Sequence, residues 1–316
     1  MSRIGLVLGA GGSVGHAYHA GVLAAIEEAT GWDPRSAGVI VGTSAGSIVA
    51  ALLRAGLGAA DLANTSLGRS LSPAGAALLA RTGPRTRLAR PGIEHADVAR
   101  GPAAASLLLR PWGIRLGALA AALLPAGTVS TEAITSGVRA IYGTAWPERP
   151  TWICALCLDD GRLVAFGRKG APPAAMGEAV AASCAIPAYF QPVLIGGKRY
   201  VDGGSHSVTN ADLLAGAGMD LVIVSCPMGG TRDGFTQGID LPLRAAIRAR
   251  LAHEVAKVRR SGTAVLTLQP TREARAAMGD NPMDSSRGAA VTRTARESTL
   301  ARLKDEDVRE RIAALA

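Results

Sequence analysis

"GVIVGTSAGSIVAALL", residues 38–53, is the stretch on which the fold turns. Residues 38–41 are a short apolar run of strand character, and residues 45–56 carry a helical pattern. Between the two, Gly42 and Gly46 flank Ser44 at the spacing Gly-x-Ser-x-Gly. On a strand-to-helix turn that spacing reads as a nucleophile elbow, in which the glycines let the chain bend sharply and expose the serine hydroxyl. The plain alternative is a Gly/Ser turn that caps a helix. A serine hydroxyl is a weak nucleophile until a base takes its proton, so the search for that base decides between the two readings.

Upstream, "RIGLVL" (3–8) reads as a second buried strand, followed by the glycine-rich "GAGGSVG" (9–15) and a helical pattern over 14–29. Strand–helix–strand–helix at this spacing implies an α/β fold with a parallel sheet and right-handed crossovers. Gly9, Gly11 and Gly15 do not keep the dinucleotide spacing, and no acid follows the second strand where a ribose would need one. Two readings stay open for this loop. It is a tight turn, or it bares N–H groups at the positive end of a helix to hold a phosphate or an oxyanion.

Downstream, residues 57–130 break the rhythm and read as a helical insertion or lid within a single domain spanning 1–316. Its stretch "ASLLLRPWGIRLGALAAALL" (105–124) suits either a lipid-facing surface or a packed helical pair. A hairpin is expected over 151–166, turned at Asp160-Gly161. Strands are expected at 193–201, 221–226 and 263–268, and helices at 173–183, 240–260 and 287–316. Residues 236–316 form a mostly helical C-terminal extension.

Composition narrows the function. The 316 residues are 48% hydrophobic and 19% charged, which suits a buried core and excludes wholesale disorder. Only 3% are aromatic, too few for the stacking platforms of single-strand binding, and no nucleic-acid partner is expected. The net charge is +9, and nine arginines stand against three acids between residues 54 and 115. Basic and apolar together point to peripheral contact with an anionic membrane surface. The run 103–124 is interrupted by Arg110, Pro111 and Arg115, so it does not read as a spanning helix, and the expected location is cytoplasmic. Four cysteines are too few for a disulfide scaffold. The Cys154-x-x-Cys157 pair lies in a strand-like run and reads as buried, reduced thiols, with no metal or cofactor expected.

Two kinds of base are available. His16, His19, His95, His206 and His253 are the histidines, of which His16, His19, His95 and His253 read as packing or solvent-exposed side chains. A Ser-His-Asp esterase of small esters or thioesters would use His206 or His253. The other candidate is a carboxylate: "KRYVDGGSHSVTN" (198–210) ends a strand and presents Asp202-Gly203-Gly204, a dipeptide pattern that also makes ordinary turns.

In chain order, "AGGSVG" (10–15), "GTSAG" (42–46), "AASCAIPAYFQPV" (181–193) and "DGG" (202–204), with Asn210 beyond, resemble the patatin-like phospholipase family over residues 3–225. The resemblance implies a three-layer α/β/α fold with a central, mostly parallel sheet, and a lipid acyl hydrolase that needs no cofactor. Ser44 would be the nucleophile and Asp202 the general base. The N–H groups of Gly11, Gly12 and Ser13 would form the oxyanion hole, and Gly42, Gly46 and Gly203 would shape the turns. Two positions depart from the family pattern. Val14 stands where Arg or Lys is usual, and one extra residue separates Gly15 from "HAGVL". The missing cation motivates a further alternative, a non-catalytic protein of the same fold that binds membranes or anions.

Overall fold

The computed structural model describes residues 3–83, 127–230 and 241–312. The strands are β1 (Ile4–Leu8), β2 (Val39–Thr43), β3 (Thr151–Cys157), β4 (Leu163–Phe166), β5 (Val193–Ile195), β6 (Lys198–Asp202), β7 (Leu221–Ser225) and β8 (Ala264–Leu268). The helices are α1 (Gly12–Thr30), α2 (Ala45–Arg54), α3 (Ala59–Leu67), α4 (Pro73–Arg81), α5 (Glu132–Tyr142), α6 (Met176–Cys184), α7 (Leu241–Arg260), α8 (Arg272–Met278), α9 (Gly288–Arg302) and α10 (Glu306–Ile312).

All the strands join one sheet with the order β5-β6-β3-β2-β1-β7-β8, and β4 pairs with β3. Strands β3, β2, β1, β7 and β8 run parallel, while β4 and β6 run antiparallel to β3 and β5 antiparallel to β6. Side chains alternate between two cores, as the pleat requires. Ile4, Leu6, Leu8, Ile40 and Ile223 face a cluster that includes Tyr18, Leu23 and Ile26 of α1, with Val49 and Leu53 of α2. Val7, Val39, Val41, Val222 and Val224 face Ile247, Leu251, Val255 and Val258 of α7. Helices on both faces of a mostly parallel sheet make the expected three-layer α/β/α arrangement.

Two expected elements are each divided. The strand expected over 193–201 is β5 and β6, joined by a turn at Gly196-Gly197 where both glycines have positive φ. The helix expected over 287–316 is α9 and α10, separated by a break at Leu303–Asp305. The expected 57–130 insertion is described only through α3, α4 and residues 127–130, and its 105–124 stretch lies outside the described residues. So do six of the nine arginines. Two of the described arginines serve the fold: Arg54 donates to the carbonyls of Arg35, Ala37 and Pro150, and Arg81 to those of Ala140 and Ile141.

Leu8 pairs with both Gly42 and Ser225, so the glycine-rich loop, the serine turn and the end of β7 leave the sheet along one edge. β1 is also where the connections reverse direction, and such switch points form a crevice beyond the carboxyl ends of the strands.

Gly46 fixes how closely α2 approaches that edge. A Cβ there would lie 2.0 Å from the Leu8 carbonyl oxygen, a contact that only backbone movement could relieve. Gly46→Ala should therefore cost about 3 kcal/mol or more. Gly38→Ala is the control, because a Cβ there finds its nearest neighbour at 3.5 Å and should change stability by about 1 kcal/mol or less. Urea unfolding of the two variants checks the contrast.

Candidate active site

Ser44 follows β2 and precedes α2, with φ 54° and ψ −121°. Positive φ is costly for a residue with a Cβ and persists only where the surroundings enforce it. Here they do. The Ser44 N–H donates to Ser183 Oγ at 2.9 Å. Its carbonyl accepts from the Ser47 N–H at 2.8 Å, from Ser47 Oγ at 2.6 Å and from Cys184 Sγ at 3.3 Å. Ser183 and Cys184 end α6, so the "AASCAIP" segment is the clamp on the strained turn. Ser47, in the first turn of α2, is one of the donors that hold this turn. The exposed hydroxyl expected of an elbow is not found: Ser44 is 4% exposed, enclosed by the end of α6 and the Asp202 turn.

Asp202 reaches Ser44 through the sheet. On β3, Cys154 pairs with Thr43 of β2, and the next residue, Ala155, pairs with Asp202 of β6. β4 occupies the opposite edge of β3 throughout residues 153–156, so β2 and β6 share the remaining edge and meet end to end. The Asp202 N–H donates to the Ala185 carbonyl at 2.9 Å, which ties the acid to the same helix end that holds Ser44.

Asp202 is 5% exposed, and burial raises its carboxyl from the ordinary 3.8 to about 6. Hydrogen bonds from the Ser44 side chain and the Gly204 N–H pull in the opposite direction, the latter at 2.7 Å. A serine hydroxyl against a carboxylate of raised proton affinity is an arrangement that can move a proton from oxygen to oxygen.

The glycine-rich loop lies beside both. Cβ positions built on Gly204 and Gly15 fall 3.3 Å from Ala10 Cβ and 3.7 Å from Ala45 Cβ. Gly12 has φ 62° and stands against Pro282 and Met283, leaving no room for a side chain. The Val14 N–H donates to the Pro282 carbonyl and the Gly15 N–H to that of Gly11. Those of Gly11, Gly12 and Ser13 take no acceptor among the described residues, at the positive end of a 19-residue helix. The Val14 side chain is buried in the core.

Gly42 lies in β2 one residue before Thr43, and Gly203 opens a tight turn against the Cys154 carbonyl. The structure therefore brings the Ser44 turn, the Asp202 turn and the glycine-rich loop to the same end of the sheet.

The described histidines differ in burial and partners. His19 is fully buried, with Nε2 donating to the Gly9 carbonyl at 2.8 Å and Nδ1 accepting from Ser225 Oγ at 2.8 Å. Burial lowers it to about 3, so it is a neutral brace for the loop. His253 is exposed on α7 and His206 half-buried, while His95 lies outside the described residues. All four cysteines are free and buried, with the Cys154 thiol pushed up to about 12. Among the described residues, no group of three His, Cys, Asp or Glu could hold a metal, and no helix is long and apolar enough to cross a membrane.

Residue-by-residue reading passed over Ser183, Cys184, Glu254 and Pro282. Ser183 and Cys184 lay inside a quoted motif, whereas nothing in the local sequence marks Glu254 or Pro282 as neighbours of the site.

A sequence model described as patatin-like phospholipase matches residues 6–215. No curated protein matches the chain. Among solved structures, the crystal structure of VipD from Legionella pneumophila is similar over 94% of this chain and 67% of that one, at 12% identity and a TM-score of 0.40.

The raised carboxyl of Asp202 has a consequence for stability. Its native pKa of about 6 exceeds the ordinary 3.8, so the native state holds this proton more tightly than the unfolded chain. That contribution is fully present below about pH 4 and is lost as pH rises through about 6. At about pH 8, Asp202→Asn should stabilise the fold by roughly 1–3 kcal/mol, and at about pH 4 the gain should vanish. Urea unfolding at the two pH values measures it.

Proposed function

The chain belongs to the patatin-like phospholipase family, a family of ester hydrolases acting on lipids, and on that basis we propose that it is a lipid acyl hydrolase working through a Ser44–Asp202 dyad. The observation that carries the proposal is the Ser44 side chain held against a buried carboxylate whose proton affinity is raised.

In this reading Ser44 Oγ attacks the ester carbonyl carbon while Asp202 takes the hydroxyl proton. The carbonyl π electrons move to oxygen, and the tetrahedral oxyanion meets the N–H groups of Gly11, Gly12 and Ser13. With Val14 in the core, backbone donors and the α1 dipole carry that charge without a side-chain cation. Collapse breaks the bond to the alcohol, which leaves with the proton from Asp202, and Ser44 keeps the acyl group. A water then attacks the acyl-enzyme and gives its proton to Asp202. The fatty acid departs as Ser44 Oγ takes that proton back. No histidine enters the cycle. The arginine-rich stretch beyond α4 supports transient contact with an anionic membrane surface, where lipid substrate would lie.

A fluorophosphonate probe should label wild type at Ser44 and leave Ser44→Ala unlabelled. Asp202→Asn should lower kcat/KM for a soluble fatty-acyl ester about 10³-fold or more. In wild type, kcat/KM should rise about tenfold per pH unit below about 6, where the base is still protonated, and level off above it. His206→Ala and His253→Ala should stay within about twofold of wild type. Full hydrolysis by Asp202→Asn would defeat the dyad, and loss of hydrolysis in either histidine variant would favour the Ser-His-Asp alternative.

A further inference from the structure

Residues 206–211 touch all three pieces of the site. The N–H groups of His206 and Ser207 donate to the Gly203 carbonyl at 3.0 and 3.1 Å, which braces the turn after Asp202. The Val208 carbonyl accepts from the Ala10 N–H at 2.7 Å, which holds the glycine-rich loop. Asn210 Nδ2 donates to Thr43 Oγ1 at 3.1 Å, one residue before Ser44.

The segment is itself bolted down. Ser207 Oγ accepts from the Thr209 and Asn210 N–H groups, and Asn210 Nδ2 donates again to the Ser207 carbonyl at 2.7 Å. That second bond fixes which end of the amide carries nitrogen, since a carbonyl can only accept. Beneath it, Glu254 of α7 is fully buried. Its Oε2 accepts from Thr209 Oγ1 at 2.6 Å and the Ala211 N–H at 2.9 Å, and its Oε1 from Arg250 Nε at 2.9 Å.

Asn210 is an expensive residue at this position. It adopts the left-handed conformation with φ 52°, and its Oδ1 is buried without a partner among the described residues. Packing alone would be served by a cheaper side chain. Glu254 is equally costly as a buried carboxylate with one half-buried arginine beside it. It also lies beyond residue 215, where the family match ends.

We propose that Asn210 and Glu254 are positioning residues that hold the glycine-rich loop, the serine turn and the Asp202 turn in mutual register. Neither touches substrate. Thr43 and the Asp202 turn are already set by the sheet, whereas the glycine-rich loop leaves the sheet at Leu8, and residues 206–211 tie it to the other two. The catalytic part of this inference rests on the acyl-hydrolase reading. A displacement of about 1 Å in such a register lowers a rate about 10²-fold, so the effect belongs in kcat.

The test uses Thr43→Val, which removes the acceptor at constant shape, Asn210→Gly, which keeps the left-handed backbone, and Glu254→Gln. On a soluble fatty-acyl ester, Thr43→Val and Asn210→Gly should each lower kcat about 10–100-fold with KM within about twofold. The double variant should be no worse than either single one, as expected when both remove one contact. Fluorophosphonate labelling of Ser44 should slow in proportion. Hydrogen exchange at the Ala10 and Ser44 amides should accelerate about tenfold in Glu254→Gln, while the Val222 and Val224 amides of β7 stay protected. Unchanged kcat in Thr43→Val and Asn210→Gly, or unchanged exchange in Glu254→Gln, would overturn the proposal. So would additive losses that track a falling thermal midpoint. If wild type neither hydrolyses the ester nor takes the label, the acyl-hydrolase reading fails on its own, and the exchange measurements alone judge the clamp.

Discussion

One edge of β3 is shared by two strands that arrive from opposite directions, and the site depends on it. β3 is seven residues long and outlasts β2, which leaves room for β6 to pair with the remainder. Because β6 runs antiparallel to β3, it is its C-terminal end that meets the C-terminal end of β2. Backbone ladders, not flexible side chains, therefore set the spacing between the residues that follow Thr43 and the residue that closes β6. A parallel β6 would bring its first residue to that point and send its last residue away. The antiparallel pairing of β6 with β3 is what allows an acid at a strand end to stand beside the serine turn.

Two local costs are concentrated at this junction. Ser44 holds a backbone conformation that residues with a Cβ avoid, and Asp202 is a carboxylate with almost no access to water. Each is held by more than one group: four donors converge on the Ser44 carbonyl, and the end of α6 binds both residues. Such expense is usual where a protein needs a reactive geometry rather than a comfortable one. His19 shows the complementary solution, a buried titratable group kept neutral and used as a strut.

Much of this was legible in the sequence because its signals are local. The strand–loop–helix rhythm around Gly9–Gly15 and Gly42–Gly46 follows from short apolar runs and glycine placement, and it determines the parallel sheet around β1. The strand break at Gly196-Gly197 was legible and missed: a Gly-Gly pair between two short strand-like runs, 193–195 and 198–201, is a hairpin signal. The burial of Ser44 was invisible, since it arises from α6 and the Asp202 turn, about 140 and 160 residues away. Glu254 could not be found from its surroundings: on a charged helix it looks like an ordinary solvated acid, and only the packing of α7 against the sheet turns it inward. Asn210 was noticed through a resemblance, and its bond to Thr43 required the fold.

The dependence of the site on the last third of the described chain bears on how the protein is made. β1 sits at the centre of the sheet, yet its second neighbour, β7, begins at Leu221. The acceptor for Val14 comes from Pro282, and the brace beneath residues 209–211 comes from Glu254. A ribosome that has already released every residue of the family match has therefore not yet delivered the parts that close the crevice. The stretch that carries Ser44 and Asp202 thus precedes β7, Glu254 and Pro282, on which their surroundings rest.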